Sequence, residues 1–150
     1  MTRIDRLILH PPDVSSPKGR KEEAALMDAA TLSTNLAHFT GSESIYRHWM
    51  SKSAFMTEGC MYLAENGNCL WLFDIIVSHQ SNPRVRREPF QAWKLVVNED
   101  RSAVVSVTDG NRKKPILEQL VPFTDFMLKE ITIWMEGSPG QMVMMLKTER

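Results

Sequence analysis

The sequence has little of several features that mark well-known classes of protein. Its two cysteines, Cys60 and Cys69, are too few for a disulfide framework. Lysine plus arginine equals aspartate plus glutamate, at 18 each, so no overall charge favours nucleic acid or an anionic membrane. The longest apolar run, residues 69–77, is broken by Asp74 and is far shorter than the ~20 residues of a membrane span. The first residues carry no secretory cleavage site, and we expect a cytoplasmic protein without a membrane partner.

Residues 10–20 differ in composition from the rest of the chain. They contain three prolines, a glycine and two serines without apolar periodicity. Such a composition is typical of a linker, and we predict a flexible leader over residues 1–20. Residues 21–150 have the length of one ordinary domain with one hydrophobic core.

Three segments in the first half show the apolar spacing of helices. Residues 21–39 place alanine, leucine and phenylalanine at steps of three and four. Residues 57–68 begin with Thr57, a favourable N-cap, and reach Gly67, a favourable stop. Residues 69–80 are apolar on nearly every side, which predicts a buried central helix.

After Pro83 the apolar period becomes that of strands. Alternating segments predict strands at residues 90–98, 102–110 and 115–122. The segments "EITIWME" and "QMVMMLK" predict a hairpin around "GSPG". We therefore predict an α+β fold, in which N-terminal helices pack on one face of a C-terminal antiparallel meander of four to five strands.

Four segments together resemble a known family. They are "LAHFTGSESIYRHW", "YLAENGNCLWLFDIIVSHQ", "FQAWKLVVNEDRSAVVSVTDGN" and "VPFTDF", and the resemblance covers roughly residues 35–136. The family is an uncharacterised one of small proteins, a domain of unknown function found in phages, plasmids and bacterial genomes. The resemblance therefore implies a mobile-element protein but no activity and no catalytic residues. The chain differs from the usual pattern of the family at both ends.

The stretch "LAHFTGSESIYRHW" concentrates side chains that could serve catalysis. A small hydrolase could use His48 as general base and Asp74 as its orienting group, but no nucleophile lies in a recognisable motif. We expect instead that Tyr46 and Trp49 pin a turn against the core. Arg47 and His48 then face water, and His48 lies beyond hydrogen-bond distance of Asp74. On this interpretation the protein has no catalytic residues and is not an enzyme.

Four side chains are of types that bind zinc, namely His48, Cys60, Cys69 and His79. Their gaps of 12, 9 and 10 residues lack the close pairs that let one loop or helix face present two ligands. We predict no metal site and no cofactor.

Two basic runs are predicted to meet at one end of the sheet. "RVRRE" precedes the first strand, and "NRKK" joins the second strand to the third, which places both runs at the same end of a meander. Close in sequence, Glu88 and Asp109 offset them in part. Such a cluster is predicted to bind an acidic or nucleic-acid partner, although charge runs also occur on ordinary solvated loops. The predicted partner-binding residues are Arg84, Arg86, Arg87, Arg112, Lys113 and Lys114.

The last predicted strand is rich in methionine. Met142 and Met144 face one side of it. Val143 and Met145 face the other side, so both sides are apolar. Methionine packs in cores and also in adaptable protein interfaces. We interpret this strand as a sheet edge that either fills the core or forms a homodimer contact with Trp134 nearby.

These patterns favour binding over catalysis. We expect a non-enzymatic mobile-element protein that binds a host protein or ribonucleoprotein with an acidic surface, for example as an antagonist of a CRISPR defence system. The alternatives are a direct nucleic-acid-binding protein and a small hydrolase that uses His48 and Asp74.

Overall fold

A computed structural model describes residues 28–41 and 43–150. The leader predicted over residues 1–20 and the first part of the predicted helix 21–39 lie outside the described residues. No helix in the described part is both long and apolar enough to cross a membrane.

Three of the four α-helices in the described chain begin at a polar side chain that accepts a backbone N–H group, and the helix Leu70–Ser78 has no such cap. Thr57 accepts the Cys60 N–H, and Gly67 follows the last residue of that helix, as the sequence predicts. Asn82 accepts the Arg84 N–H in the same way, and proline occupies the next position. The α-helices are α1 (Ala29–Leu36), α2 (Glu58–Asn66), α3 (Leu70–Ser78) and α4 (Pro83–Arg86), with 3₁₀ turns at His79–Ser81 and Lys147–Glu149.

The strands form a single mixed sheet. They are β1 (Ile45–Arg47), β2 (Ala54–Thr57), β3 (Phe90–Val97), β4 (Ala103–Thr108), β5 (Leu117–Val121), β6 (Glu130–Ser138) and β7 (Gln141–Leu146). Their order is β1-β2-β7-β6-β3-β4-β5. All neighbours are antiparallel except β2 and β7, which are parallel. The α+β class is confirmed, but seven strands replace the four to five predicted.

The sheet is not a simple meander, because β6 returns to pair with β3 instead of β5. The connecting residues 122–129 pass the turn between β3 and β4. There the Arg101 guanidinium donates to the carbonyls of Thr124 at 3.0 Å and Phe126 at 2.6 Å. The Phe126 ring is buried. These contacts hold the connection beside the β3–β4 turn, which brings β6 next to β3. The predicted strand order is therefore wrong after β5.

Strand β1 lies where the sequence predicts a turn, and β2 ends at Thr57, where the sequence predicts the start of a helix. Both are short, and β2 obtains its inner neighbour from Met142–Met144, far along the chain. A segment of three or four residues has too short a pattern to show a period, and its strand state depends on this distant pairing.

One face of the sheet and the inner sides of the helices form the core. The helices cover this face, as predicted. Its largest buried side chains include Leu63, Phe73 and Ile76 from the helices and Trp93, Leu95, Ile133 and Met135 from the strands.

Strand β7 lies inside the sheet and not at its edge. It pairs with β2 on one side and with β6 on the other. Met142 and Met144 are buried in the core, whereas Val143 and Met145 are half-buried on the second face. The expectation that this strand is a free edge is therefore wrong, and a homodimer contact of these residues and Trp134 through the second face stays a prediction. A homodimer through another surface stays a prediction.

Glu149 fixes the start of α2. Its carboxylate accepts the Thr57 hydroxyl at 2.6 Å and the Gly59 N–H at 3.0 Å. A Cβ on Gly59 would lie 2.6 Å from this carboxylate, so glycine permits the close approach. The negative charge also suits the N-terminus of a helix.

Arg150 lies on the second face of the sheet. Its guanidinium is 5.0 Å from the ring centroid of Phe90 and 5.5 Å from that of Trp134, and it pairs with Glu136 at 3.0 Å. These two rings also contact each other edge-to-face at 5.5 Å. The guanidinium therefore covers an apolar part of this face.

Candidate functional site

Several connections meet at one end of the sheet, which we call the loop end. β3 begins there and β6 ends there, since Phe90 pairs with Glu136. β2 and β7 also begin there, since Ala54 pairs with Met142. The connections at this end are residues 48–53, 87–89, 109–116 and 139–140.

The two basic runs lie together at the loop end. We call α4 with Arg87, together with residues 109–116, the basic loops. Arg84 Nη2 donates to the Ile116 carbonyl at 2.5 Å, which ties α4 to the start of β5. The strand connectivity from which the sequence predicted this meeting is present, because β3, β4 and β5 pair in succession.

Residues 109–116 form the longer basic loop, and its shape depends on hydrogen bonds of its own backbone and on contact with β3. Gly110 has a φ of +94° and lies against the Phe90 ring, where a Cβ would be 2.7 Å from the nearest ring carbon. The Asp109 carboxylate accepts the N–H groups of Asn111 and Arg112 at 2.9 and 3.0 Å. These hydrogen bonds hold the pKa of Asp109 below its usual range.

All six predicted cationic side chains are exposed. The Arg112 guanidinium donates to the Lys114 carbonyl at 2.8 Å, and Arg87 forms a long contact of 3.8 Å with Glu88. The ammonium groups of Lys113 and Lys114 have no acidic partner within the described part of the chain. Most of the positive charge of the basic loops thus faces solvent.

A buried glutamine holds the basic loops from beneath. Gln91 is fully buried, and its amide nitrogen donates to the carbonyls of Val85 at 3.1 Å and Glu88 at 3.2 Å. Its amide oxygen accepts the indole N–H of Trp93 at 2.9 Å and an N–H of Gln80 at 2.8 Å. The two carbonyls flank the adjacent arginines, so the network fixes the backbone that carries them.

A second buried polar side chain lies beneath the connection 48–53. His48 is 2% exposed, and its Nε2 lies 2.8 Å from Asp74 Oδ1. Its Nδ1 accepts the Met50 N–H at 3.0 Å. The prediction that His48 faces water and stays apart from Asp74 is wrong. The sequence signal was Asp74 itself, an isolated acid in an apolar helix, because such an acid needs a polar partner.

The paired His48 and Asp74 resemble the base and orienting acid of a hydrolase, but both ring nitrogens of His48 are engaged. The Met50 N–H makes Nδ1 an acceptor, so the hydrogen-bond pattern assigns the proton to Nε2, which donates to Asp74. A general base needs a nitrogen that can reach a substrate proton. This arrangement therefore holds a turn and presents no base.

Asp74 Oδ1 also accepts the indole N–H of Trp49 at 2.9 Å. Nevertheless Trp49 is 56% exposed and Tyr46 is 42% exposed, so the prediction that both pin the turn against the core is wrong. His48 packs inward in their place. We call the exposed segment the aromatic turn; it consists of Ile45, Tyr46, Arg47, Trp49 and Met50.

The side chains of zinc-binding type do not come together. No group of three or more His, Cys, Asp or Glu residues in the described chain could hold a metal ion. His79 Nε2 lies 2.6 Å from Gln119 Oε1. Cys60 and Cys69 are buried, and burial raises the pKa of each thiol far above its usual value. Both thiols are therefore protonated and unreactive in the folded chain.

Comparison with known proteins gives one result. The model of a family of unknown function, DUF6876, matches residues 30–150, from the start of α1 through all seven strands. The chain belongs to this family. No curated protein and no solved structure matches it.

Proposed function

We propose that this member of the family acts by binding, and that the basic loops dock on the acidic surface of a protein or ribonucleoprotein partner. The observation that supports this proposal is the meeting of two sequence-distant basic runs at the loop end. Six cations less Glu88 and Asp109 leave about +4 there, on a chain whose net charge is zero. Unbalanced local charge speeds association and selects a partner of opposite sign.

The basic loops are also fixed in place before any partner binds. Gln91 anchors the backbone beside the two adjacent arginines, and Arg84 ties α4 to β5. A surface that is already ordered loses less conformational entropy on binding. The same contacts explain why a set of exposed charges has a defined position.

Two charge-reversal variants test this proposal. Both change three exposed cations to glutamate, so their net charges are equal. The basic-loop variant is Arg86→Glu, Lys113→Glu and Lys114→Glu. The control is Lys94→Glu, Lys129→Glu and Lys147→Glu, away from the basic loops.

The wild-type chain and both variants are used to capture proteins from lysate of the natural host, with quantification by mass spectrometry. We then measure the affinity of the purified partner for each chain. We expect the basic-loop variant to bind at least about 10-fold more weakly than the control. Equal affinities of the two variants would refute the docking surface.

A direct nucleic-acid interaction is the competing function, since a cationic cluster also suits phosphate groups. Phe90, the ring against the longer basic loop, is covered by Gly110 and Arg150, so it offers no free face on which a base could stack. Binding of a mixed-sequence DNA or RNA duplex, measured over a range of salt concentrations, separates the two. Tight, steeply salt-dependent binding of the duplex would favour the competing function.

The mobile-element character that the sequence resemblance implies extends the proposal to a host-defence partner, such as a CRISPR ribonucleoprotein. Cells with an active CRISPR system and a targeted phage are supplied with the wild-type chain or the basic-loop variant. We expect phage survival to rise with the wild-type chain and not with the variant. No rise with the wild-type chain would exclude this extension while leaving the docking surface to its own test. A cytoplasmic location stays a prediction.

A further inference from the structure

We propose that the aromatic turn is a second docking site at the loop end, which binds an extended segment of a partner protein as an added strand beside β1. The idea that the same partner also binds the basic loops rests on the proposed function. The site itself stands on separate observations and has a separate test.

The first observation is the composition and exposure of the aromatic turn. It carries four of the six exposed large hydrophobic side chains of the described chain. Within residues 46–50 it presents tyrosine, arginine, tryptophan and methionine. These are the residue types enriched in the buried centres of protein interfaces, and tyrosine, tryptophan and arginine dominate binding hot spots.

The second observation is that the aromatic turn is held rigidly while exposed. Trp49 donates its indole N–H to Asp74, which His48 also contacts from the buried side. The rings of His48 and Trp49 stack at 6.0 Å with an interplanar angle of 28°. An exposed ring that is fixed in this way pays little entropy on binding. Holding Trp49 in place also gives a structural role to the pair of His48 and Asp74, which presents no general base.

The third observation identifies the kind of partner. β1 is an edge strand, and no described segment pairs with its outer side. An open edge offers N–H and C=O groups to an extended polypeptide. Arg47 is the one charged side chain of β1 and is exposed, so it favours an acidic residue in the added strand, while Lys52, Glu43 and Asp74 around it leave the site without a net charge. The rings of Tyr46 and Trp49 are also of the kind on which nucleic-acid bases stack, so binding of a single-stranded oligonucleotide is one outcome of the test, whereas the open edge of β1 favours an extended polypeptide.

A second copy of this chain is a competing occupant of the open edge. Antiparallel pairing of two β1 strands about a twofold axis would run the Glu43 end of each copy alongside the Arg47 end of the other. The test below therefore includes the oligomeric state of the chain.

The two docking sites lie at a distance that one partner can span. Five strand spacings separate the β1–β2 connection from the β4–β5 loop in the sheet order. At ~4.8 Å for each spacing, this is about 24 Å. A standard protein interface of roughly 800 Å² on each side has a similar width.

A random peptide library displayed on phage tests the aromatic turn without knowledge of the natural partner. The library is selected on the wild-type chain with counter-selection on a Trp49→Ala variant, and the affinity of the best peptide is measured by fluorescence anisotropy. The variants Trp49→Ala and Met50→Glu are compared with Phe123→Ala. Phe123 is 68% exposed beyond β5, which makes this variant a matched loss of an exposed ring.

We expect selected peptides to combine alternating apolar residues with an acidic one. Their affinity should fall more than about 10-fold in both aromatic-turn variants and stay unchanged in the Phe123 variant and in the basic-loop variant. Bound peptide should also slow hydrogen exchange of the amides of residues 45–47. Because peptide binding does not depend on the basic loops, this test can support the second site even if the test of the proposed function fails.

Three outcomes would overturn the proposal. One is that no peptide binds in a Trp49-dependent manner. Another is a wild-type dimer that becomes a monomer in Trp49→Ala, which would assign the site to a second copy. The last is Trp49-dependent binding of a mixed-sequence single-stranded oligonucleotide in place of peptides. Met50→Glu keeps the test decisive if the Trp49 variant unfolds, because the Met50 side chain takes no part in the hydrogen-bond network.

Discussion

The basic loops and the aromatic turn lie at the same end of the sheet and are supported in a similar way. A buried polar side chain fixes each one, Gln91 beneath the basic loops and His48 beneath the aromatic turn. They differ in what they present, since one exposes cations and the other exposes apolar rings. They also differ in the solvation of the support, because the Gln91 network is enclosed, whereas the side chain of Asp74 is 33% exposed. The comparison indicates that buried side chains hold each surface in place, whereas the exposed side chains of the loops determine what each surface can bind.

The largest effect is expected from Gln91→Leu. This variant leaves the Trp93 N–H and the Glu88 carbonyl without the Gln91 amide, while the Val85 carbonyl keeps only the Glu88 N–H. Each unsatisfied group costs roughly 1–3 kcal/mol, so we expect a loss of about 3 kcal/mol or more in the free energy of unfolding. Urea denaturation measures it, with Gln119→Leu as a control that removes one side-chain contact. A loss equal to that of the control would show that the enclosed network is not what holds the basic loops.

His48→Leu should have the next largest effect on stability. The Met50 N–H and Asp74 each lose a partner, but water can reach Asp74. We expect a loss of about 2 kcal/mol, smaller than for Gln91→Leu. The same urea titration checks this order. If the two losses were reversed, the difference in solvation between the supports would be the wrong explanation.

Trp49→Phe should cost less again. It keeps an aromatic ring at an exposed position but removes the indole N–H that Asp74 accepts. The expected loss is about 0.5–1 kcal/mol. Peptide affinity should fall more clearly than stability, because the ring is no longer fixed. A variant that binds the selected peptide as tightly as the wild-type chain would show that fixing the ring is unimportant.

The basic-loop variant with three charge reversals should hardly change the melting temperature. Its side chains are exposed, and exposed charges contribute little to folding. Differential scanning calorimetry of this variant and its control should give melting temperatures close to that of the wild-type chain. A large decrease confined to the basic-loop variant would mean that the cations serve the fold and not a partner.

The smallest expected effect concerns Asp109. Backbone N–H groups lower its pKa in the folded chain, so its contribution is present above the ordinary Asp pKa of about 3.9 and is lost as pH falls through the lowered value. An NMR titration of the Asn111 and Arg112 amides should give a midpoint below about 3.9. A midpoint at the ordinary value would show that the longer basic loop is not ordered by this carboxylate.

Local patterns in the sequence predicted the elements that depend on nearby residues. Thr57 and Gly67 mark the ends of α2, and alternation marks β3 to β7 closely. The strand order depends on contacts between distant residues, such as those of Arg101 with the β5–β6 connection, and no local pattern encodes them.

The candidate sites follow the same division. The meeting of the basic runs could be predicted, because consecutive antiparallel strands determine it. The contact between His48 and Asp74 could not, because it depends on how the β1–β2 hairpin packs against α3. Trp49 is exposed because His48 packs inward in its place to reach Asp74. Without knowledge of that contact, the sequence predicted Trp49 in the core.

The pairing of β2 with β7 has a consequence for synthesis of the chain. The ribosome releases β1, β2 and α2 well before the inner neighbour of β2 and the Glu149 cap of α2. Thr57 and Glu149 are 92 positions apart, so the inner edge of β2 stays open while the residues between them are translated. A nascent chain that stalls before Met142 exposes this edge to other strands, which makes the arrival of β7 a checkpoint for productive folding.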